Sequence, residues 1–225
     1  MTYPSMRAPT SLTLVTVLAL VLVVRCAPAA AQQTSMSSGE PDLASRVDLS
    51  GFPVYKDPAQ RFSLQYPATW TEPGPDACFF AGALHEPESG PLEAALLTVV
   101  CSQTPGPAGD VVDVAATLGV DTPDAFDAFV ARTEDETGSE IEPLSYGPAR
   151  LAGRSAFRWT YRETIPADAG GIVLHVVQYV VVTGSTQYGV GCSVSESLGA
   201  DMVTLCEALV RSFTLGTGSA PGARP

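Results

Sequence analysis

Asparagine is absent from the 225-residue chain, and lysine occurs once, at Lys56. Without Asn there is no N-glycosylation acceptor, and the bias suits a GC-rich bacterial genome. Positive charge is scarce: 12 Lys and Arg stand against 24 Asp and Glu, a net charge of −12. Such a surface repels nucleic acid and anionic membrane. No two cysteines are spaced as Cys-x-x-Cys, which argues against a zinc site. No Gly-x-Ser-x-Gly places a nucleophile on a sharp turn, and no Asp-x-Asp-x-Asp-Gly loop is present to wrap calcium. Gly189-x-Gly191 has Val194 where a third Gly is needed and lies inside a strand pattern, so it is not a dinucleotide loop. No internal repeat is visible. Histidine is confined to His85 and His175.

What is present begins with an apolar run from Leu12 to Val24, interrupted only by Thr13 and Thr16. Arg7 supplies a thin positive region before it, and Ala29-Ala30-Ala31 a small-residue site after it. This is the layout of a secretory signal peptide, with cleavage expected before Gln32. The run is short for a bilayer span. An uncleaved anchor, or a lipid anchor on Cys26, is the competing reading. Arg25 stands directly before Cys26, where a lipoprotein signal wants a small residue. Cleavage removes two Arg and no acids, leaving 10 basic residues against 24 acidic ones, or −14. Residues 32–50 read as a flexible linker, residues 51–215 as one domain, and residues 216–225 as a disordered tail.

Four cysteines remain after cleavage: Cys78, Cys101, Cys192 and Cys206. An even count in an exported chain favours disulfides, with three possible connectivities. Cys78 and Cys101 lie symmetrically about Ser89-Gly90, the expected tip of a hairpin. Cys192 and Cys206 lie symmetrically about Gly199, the expected turn between a strand and a helix. These nearest-neighbour pairs are the expected bonds; the alternative is that some are buried free thiols.

The domain is organised around residues 55–70. Asp57-Pro58 marks a turn, and Phe62, Leu64 and Tyr66 then alternate with Ser63 and Gln65, the period of a strand with one apolar face. Pro67 ends the strand, and Trp70 offers a large ring to the core. Further strands are expected at 78–84, 94–101, 141–146, 153–163, 172–182 and 187–195. Helices are expected at 110–118, stopped by Gly119, and at 122–136, with Thr122 as N-cap and Pro123 at the first helical position. A closing helix over 200–212 carries Met202, Leu205, Cys206, Leu209 and Val210, with Phe213 next, on one face. The order β-β-β-β-α-α-β-β-β-β-α argues for an α+β fold: a mostly antiparallel sheet flanked by helices.

Tyr55-x-Asp57-Pro58 followed by Phe62-Ser-Leu64-x-Tyr66-Pro67-x-x-Trp70 resembles the opening of PsbP-like domains. Leu151-Ala-Gly153-Arg154-x-Ala156 before an aromatic strand, the hairpin 172–195, and a final helix ending Arg211-Ser212-Phe213 are similar as well. The resemblance covers residues 52–215 and implies the α-β-α sandwich of the Mog/PsbP type, shared with DcrB-like proteins. Arg61 stands where that family commonly has Gly, so the first turn is expected to differ. Members include extrinsic photosystem II subunits, exported bacterial lipoproteins and a nuclear transport factor. The resemblance therefore implies an exported, non-catalytic accessory module, secreted or periplasmic, that binds an envelope protein or a small ligand. It implies no cofactor and transfers no catalytic residue.

Three groups of residues are weighed on their own chemistry. Arg154, Arg158 and Arg162 project from one face of an expected strand, about 13 Å between successive members by strand rise. They suit an anionic ligand or an acidic partner; the plainer reading pairs them with cross-strand carboxylates. His175, among valines, and His85, beside Glu86 and Glu88, are the only candidates for a secreted hydrolase. The eight acids and one Arg between Asp121 and Glu142 suggest a calcium-responsive module, or more simply a solvated face. The glycines of 187–195 read as a flat surface on which a helix packs closely.

Overall fold

The computed structural model describes residues 47–70, 79–85, 94–103, 111–167 and 171–216, with Ala44 besides; at 79–85 and 94 the description is of the backbone. The expected signal peptide, Cys78, the 86–93 hairpin tip and the 217–225 tail lie outside these residues. The described chain is α+β.

The strands run β1 (Val54–Lys56), β2 (Phe62–Gln65), β3 (Phe79–His85), β4 (Ala94–Gln103), β5 (Glu140–Leu151), β6 (Arg154–Thr164), β7 (Val173–Thr183), β8 (Thr186–Ser195) and β9 (Thr214–Leu215). Helices α1 (Val114–Leu118) and α2 (Pro123–Thr137) separate β4 from β5, and α3 (Gly199–Arg211) follows β8. The main sheet has six strands in the order β3-β4-β8-β7-β6-β5, and all its pairs are antiparallel. A second, three-stranded sheet in the order β1-β2-β9 closes the domain by joining its beginning to its end. Period-two reading did not separate these two sheets, because β9 is only two residues long.

Each face of the main sheet has its own core. On one face α3 packs on β7 and β8 and touches β2 and β4. There Phe62, Leu64, Tyr66 and Trp70 are buried with Leu97, Val99, Tyr179, Val190, Leu209, Val210 and Phe213. The alternation expected of β2 and the apolar face expected of α3 both meet this cluster. On the other face α1 and α2 lie over β5, β6 and β7. Phe126 and Phe129 pack there against Phe157, Trp159 and Tyr161. The aromatic side of β6 thus belongs to α2 and its arginine side to the α3 face.

The helix ends follow their sequence signals. The Thr122 hydroxyl accepts from Ala125 N–H, Pro123 opens α2, and Gly138 closes it in the left-handed conformation. Helix α1 is shorter than expected: Asp113 caps it, accepting from Ala116 N–H, so the helix begins after that residue. Strand β5 is longer than expected and continues through Pro143, Gly147 and Pro148 to Leu151. Proline is tolerated because β5 is an edge strand, paired only with β6. A register shift between Pro143 and Ser145 bulges Leu144. Two prolines and a bulge also blunt this edge against further strands.

The expectation for Gly189 and Gly191 is corrected. Helix α3 packs on the opposite face of β8, where Tyr188, Val190, Cys192 and Val194 point. The glycine face meets Thr98 and Gln178 from the neighbouring strands. Gly216, assigned to the tail from sequence, donates its N–H to the Arg61 carbonyl at 2.7 Å. A Cβ at Gly216 would fall 1.9 Å from the Gln60 carbonyl oxygen, so only glycine fits there.

The β5–β6 hairpin turns on Ala152 and Gly153, both at positive φ (51° and 75°). Two successive positive values define a type I′ turn, whose preferred first residue is Asn or Asp. Ala152→Asn is therefore expected to raise stability by about 0.5–1 kcal/mol, read as a higher urea midpoint at unchanged slope.

Candidate functional site

The arginine face of β6 continues past the edge of α3, and there polar side chains from five elements meet: β5, β6, β7, α3 and the 3-10 turn before it. Cross-strand pairing sets Arg162 opposite Glu142 on β5 and opposite His175 on β7. Arg162 forms a fork with Glu196, which sits in a 3-10 turn between β8 and α3: Nε to Oε1 is 2.6 Å and Nη2 to Oε2 is 3.0 Å. Its Nη1 donates to Glu142 Oε2 at 3.1 Å. One rung along, Arg158 pairs with Glu207 of α3 at 3.1 Å and donates to Ser145 Oγ at 3.0 Å. Arg211 adds a second cation to the same Glu207 oxygen at 3.0 Å, and the Tyr179 hydroxyl donates to it at 3.3 Å. The Arg158 guanidinium also lies 5.9 Å from the Tyr179 ring centre.

This face is a near-balanced mosaic in which Arg158, Arg162 and Arg211 interlock with Glu142, Glu196 and Glu207. The pairing fixes guanidiniums that would otherwise sample many rotamers, and the bidentate Arg162–Glu196 fork adds directionality. Its hydrogen bonds from Arg162 hold the Glu196 carboxyl below the usual carboxylate range. Burial pushes the Tyr179 hydroxyl up, with Glu207 reinforcing it. Arg158 Nε is buried and makes no hydrogen bond. Arg154 lies at the hairpin end and is exposed to solvent. Of the three arginines singled out from sequence, the fold thus gathers Arg158 and Arg162 into one network and leaves Arg154 outside it.

His175 lies within the same mosaic, half-buried. Burial is the largest influence on it and pushes its pKa down; Glu196 pulls upward, while Arg158 and Arg162 add to the depression. A depressed folded-state pKa means the unfolded chain binds the proton more readily. Between the folded value and the unfolded value near 6.5, stability therefore rises with pH and is lost on acidification. Glu196, lowered from 4.5, contributes stability that is lost as the pH falls below its unfolded value. Urea midpoints at about pH 7.5 and about pH 5.5 should differ more for the wild type than for His175→Gln. An equal difference in the two proteins would remove His175 from the account.

His85 closes β3, and its side chain lies outside the described set. The acids between Asp121 and Glu142 spread along α2 and into β5; Glu134 Oε1 accepts from Ile141 N–H at 2.8 Å, tying the two together. Among the described residues, no three His, Cys, Asp or Glu side chains converge as metal ligands. Cys192 and Cys206 form a disulfide joining β8 to α3. Cys101 is disulfide-bonded as well; Cys78, its expected partner, lies outside the described residues.

Sequence reasoning missed Glu196 and Glu207. The only available signal was an acid near the start of α3 and another on its polar side, ordinary positions for a solvated helix.

No protein-family model and no curated protein matches this chain. Among solved structures, the chain is similar to the solution structure of cyanobacterial PsbP (CyanoP) from Synechocystis sp. PCC 6803. That match has 14% identity, covers 80% of this chain and 98% of that one, and has a TM-score of 0.47. The chain is also similar to LpqN, involved in cell envelope biogenesis of Mycobacterium tuberculosis. There the identity is 15%, the coverage 74% of this chain and 86% of that one, and the TM-score 0.41. PsbP is thus among the structures this chain is similar to, and the likeness carries no ligand or partner across.

Proposed function

We propose that this protein is an exported, non-catalytic binding module that offers the Arg158–Arg162 mosaic to a protein partner in the cell envelope. The observation that carries the reading is the interlocking of charges from β5, β6 and α3 around His175. Catalysis by His175 needs a nucleophile or base within hydrogen-bond reach. His175 instead faces an arginine whose hydrogen bonds go to Glu142 and Glu196. A rigid, pre-paired charge pattern suits recognition, because little side-chain entropy remains to be lost on docking. The apolar N-terminal run with its small-residue cleavage site, and the Cys192–Cys206 disulfide, support an oxidising destination.

The test is crosslinking of the exported protein in its own envelope, wild type against Arg162→Glu. Arg162 is exposed enough for the reversal to leave the fold intact, whereas Arg158 is held against Tyr179. A crosslinked partner lost in Arg162→Glu and recovered in Arg162→Glu/Glu142→Arg supports the reading. A partner retained in the single variant moves the interface elsewhere on the domain.

A further inference from the structure

A pocket of about 250 Å³ opens at the β5–β6 turn, and none of its lining residues belongs to the charge mosaic. It is lined by Val111, Val112, Arg150, Gly153, Arg154, Ser155 and Val182. The residues come together for a structural reason. Arg150 and Ser155 are cross-strand partners, Ser155 lies level with Val182 on the next strand, and the segment leading into α1 crosses above them.

The lining divides by chemistry. Val111, Val112 and Val182 form an apolar wall, and Val112 is 83% exposed, an unusual placement for a β-branched apolar side chain. Arg150 and the Ser155 hydroxyl supply donors beside that wall, and Arg154 completes the lining. Among the described residues that line it there is no Asp or Glu. This is notable in a chain where acids outnumber bases 24 to 12. Elsewhere Arg61, Arg158, Arg162 and Arg211 form ion pairs. The Arg150 guanidinium makes a bond to a neutral group instead, donating from Nη2 to the Gly153 carbonyl at 2.6 Å. That bond anchors one nitrogen at the rim and leaves the others able to donate.

We infer that this pocket binds a small aliphatic carboxylate, with its carboxylate on Arg150 and Ser155 and its tail along Val111, Val112 and Val182. A guanidinium fork matches a carboxylate bidentately, and the three valines take the chain. The volume lies just under the range of drug-sized sites, which limits the ligand to a short acid. The site is independent of the Arg162 face.

The probe is sodium pentanoate, titrated into the exported chain with amide chemical shifts as readout. Saturable shifts confined to residues 111–112, 150–155 and 182 are expected, with a Kd on the order of 1 mM. Arg150→Gln should weaken binding about tenfold or more, because a charge-assisted bond is lost. Arg150→Lys should fall between, keeping the charge without the fork. Pentan-1-ol, with the tail but no charge, should bind about tenfold more weakly or worse, and acetate, with the charge but no tail, should not saturate. Equal affinity for pentanol and pentanoate, unchanged affinity in Arg150→Gln, or shifts spread over the Arg158–Arg162 face would each overturn the assignment. Failure to saturate by about 20 mM pentanoate would do the same.

Discussion

Asp57→Ala is expected to cost about 3–5 kcal/mol of stability, the range for removing one partner of a buried ion pair. Asp57 and Arg61 face each other inside the first turn, with side chains 0% and 4% exposed. The guanidinium donates from Nε to Oδ2 and from Nη2 to Oδ1, both at 2.7 Å, and the Arg61 backbone N–H adds a third bond to Oδ2 at 3.1 Å. Truncating Asp57 leaves a buried cation and an unsatisfied backbone donor. Arginine does not relieve the strain by losing its proton. The same turn holds Gln60 at a φ of 56° and receives Gly216 from the end of the domain, so its loss also loosens β9. Asp57→Ala/Arg61→Met should recover most of the deficit, since replacing both charges of a buried pair is often close to neutral. Urea unfolding of the two variants checks both statements. A single variant within about 1 kcal/mol of the wild type would show that water reaches Arg61 and that the pair is not buried in solution.

This turn also marks how far the sequence could be read. Phe62, Leu64 and Tyr66 announced their strand because period-two alternation is a local signal, and Thr122-Pro123 announced α2 because caps are local too. Arg61 could be seen as unusual, yet its partner could not be named, because an i,i+4 pair across a turn has no periodicity to betray it. The aromatic and arginine sides of β6 were legible from alternation alone. Which helix covered which side was not, because that depends on the route of the chain between β4 and β5. The arginine row therefore looked like three equivalent cations. The fold divides it: Glu196 and Glu207 come from beyond β8 to engage Arg162 and Arg158, while Arg154 and the unforeseen Arg150 border the turn pocket. The glycines of β8 misled in the same way. They mark one face, and nothing local says that α3 packs on the other.

Replacing both Cys192 and Cys206 by Ala is expected to lower stability by about 3 kcal/mol through the freed loop entropy of the unfolded chain. For a domain of this size that is a fall in Tm of roughly 6–12 °C. The two residues are 14 apart in sequence and 1% and 0% exposed, at the centre of the contact between β8 and α3. The bond closes a short loop around the 3-10 turn that carries Glu196. It therefore fixes the start of α3, while Leu209, Val210 and Phe213 hold its end by packing. Loss of the disulfide should free the Glu196 end first, so amide exchange at residues 196–202 is expected to accelerate more than at 208–213. Because both sulfurs are buried, a reductant should act on the native protein only at the rate of local opening. At equilibrium the fully reduced wild type should be no more stable than the double variant, because reduction also opens the Cys101 bond. A double variant within about 0.5 kcal/mol of the wild type would mean that packing alone seats α3. If the full loss is found, a chain in a reducing compartment is weaker by at least that amount, since the Cys101 bond opens there too. The charge mosaic, which depends on Glu196 and Glu207 for its pairs with Arg158, Arg162 and Arg211, would then be fully formed only under oxidising conditions.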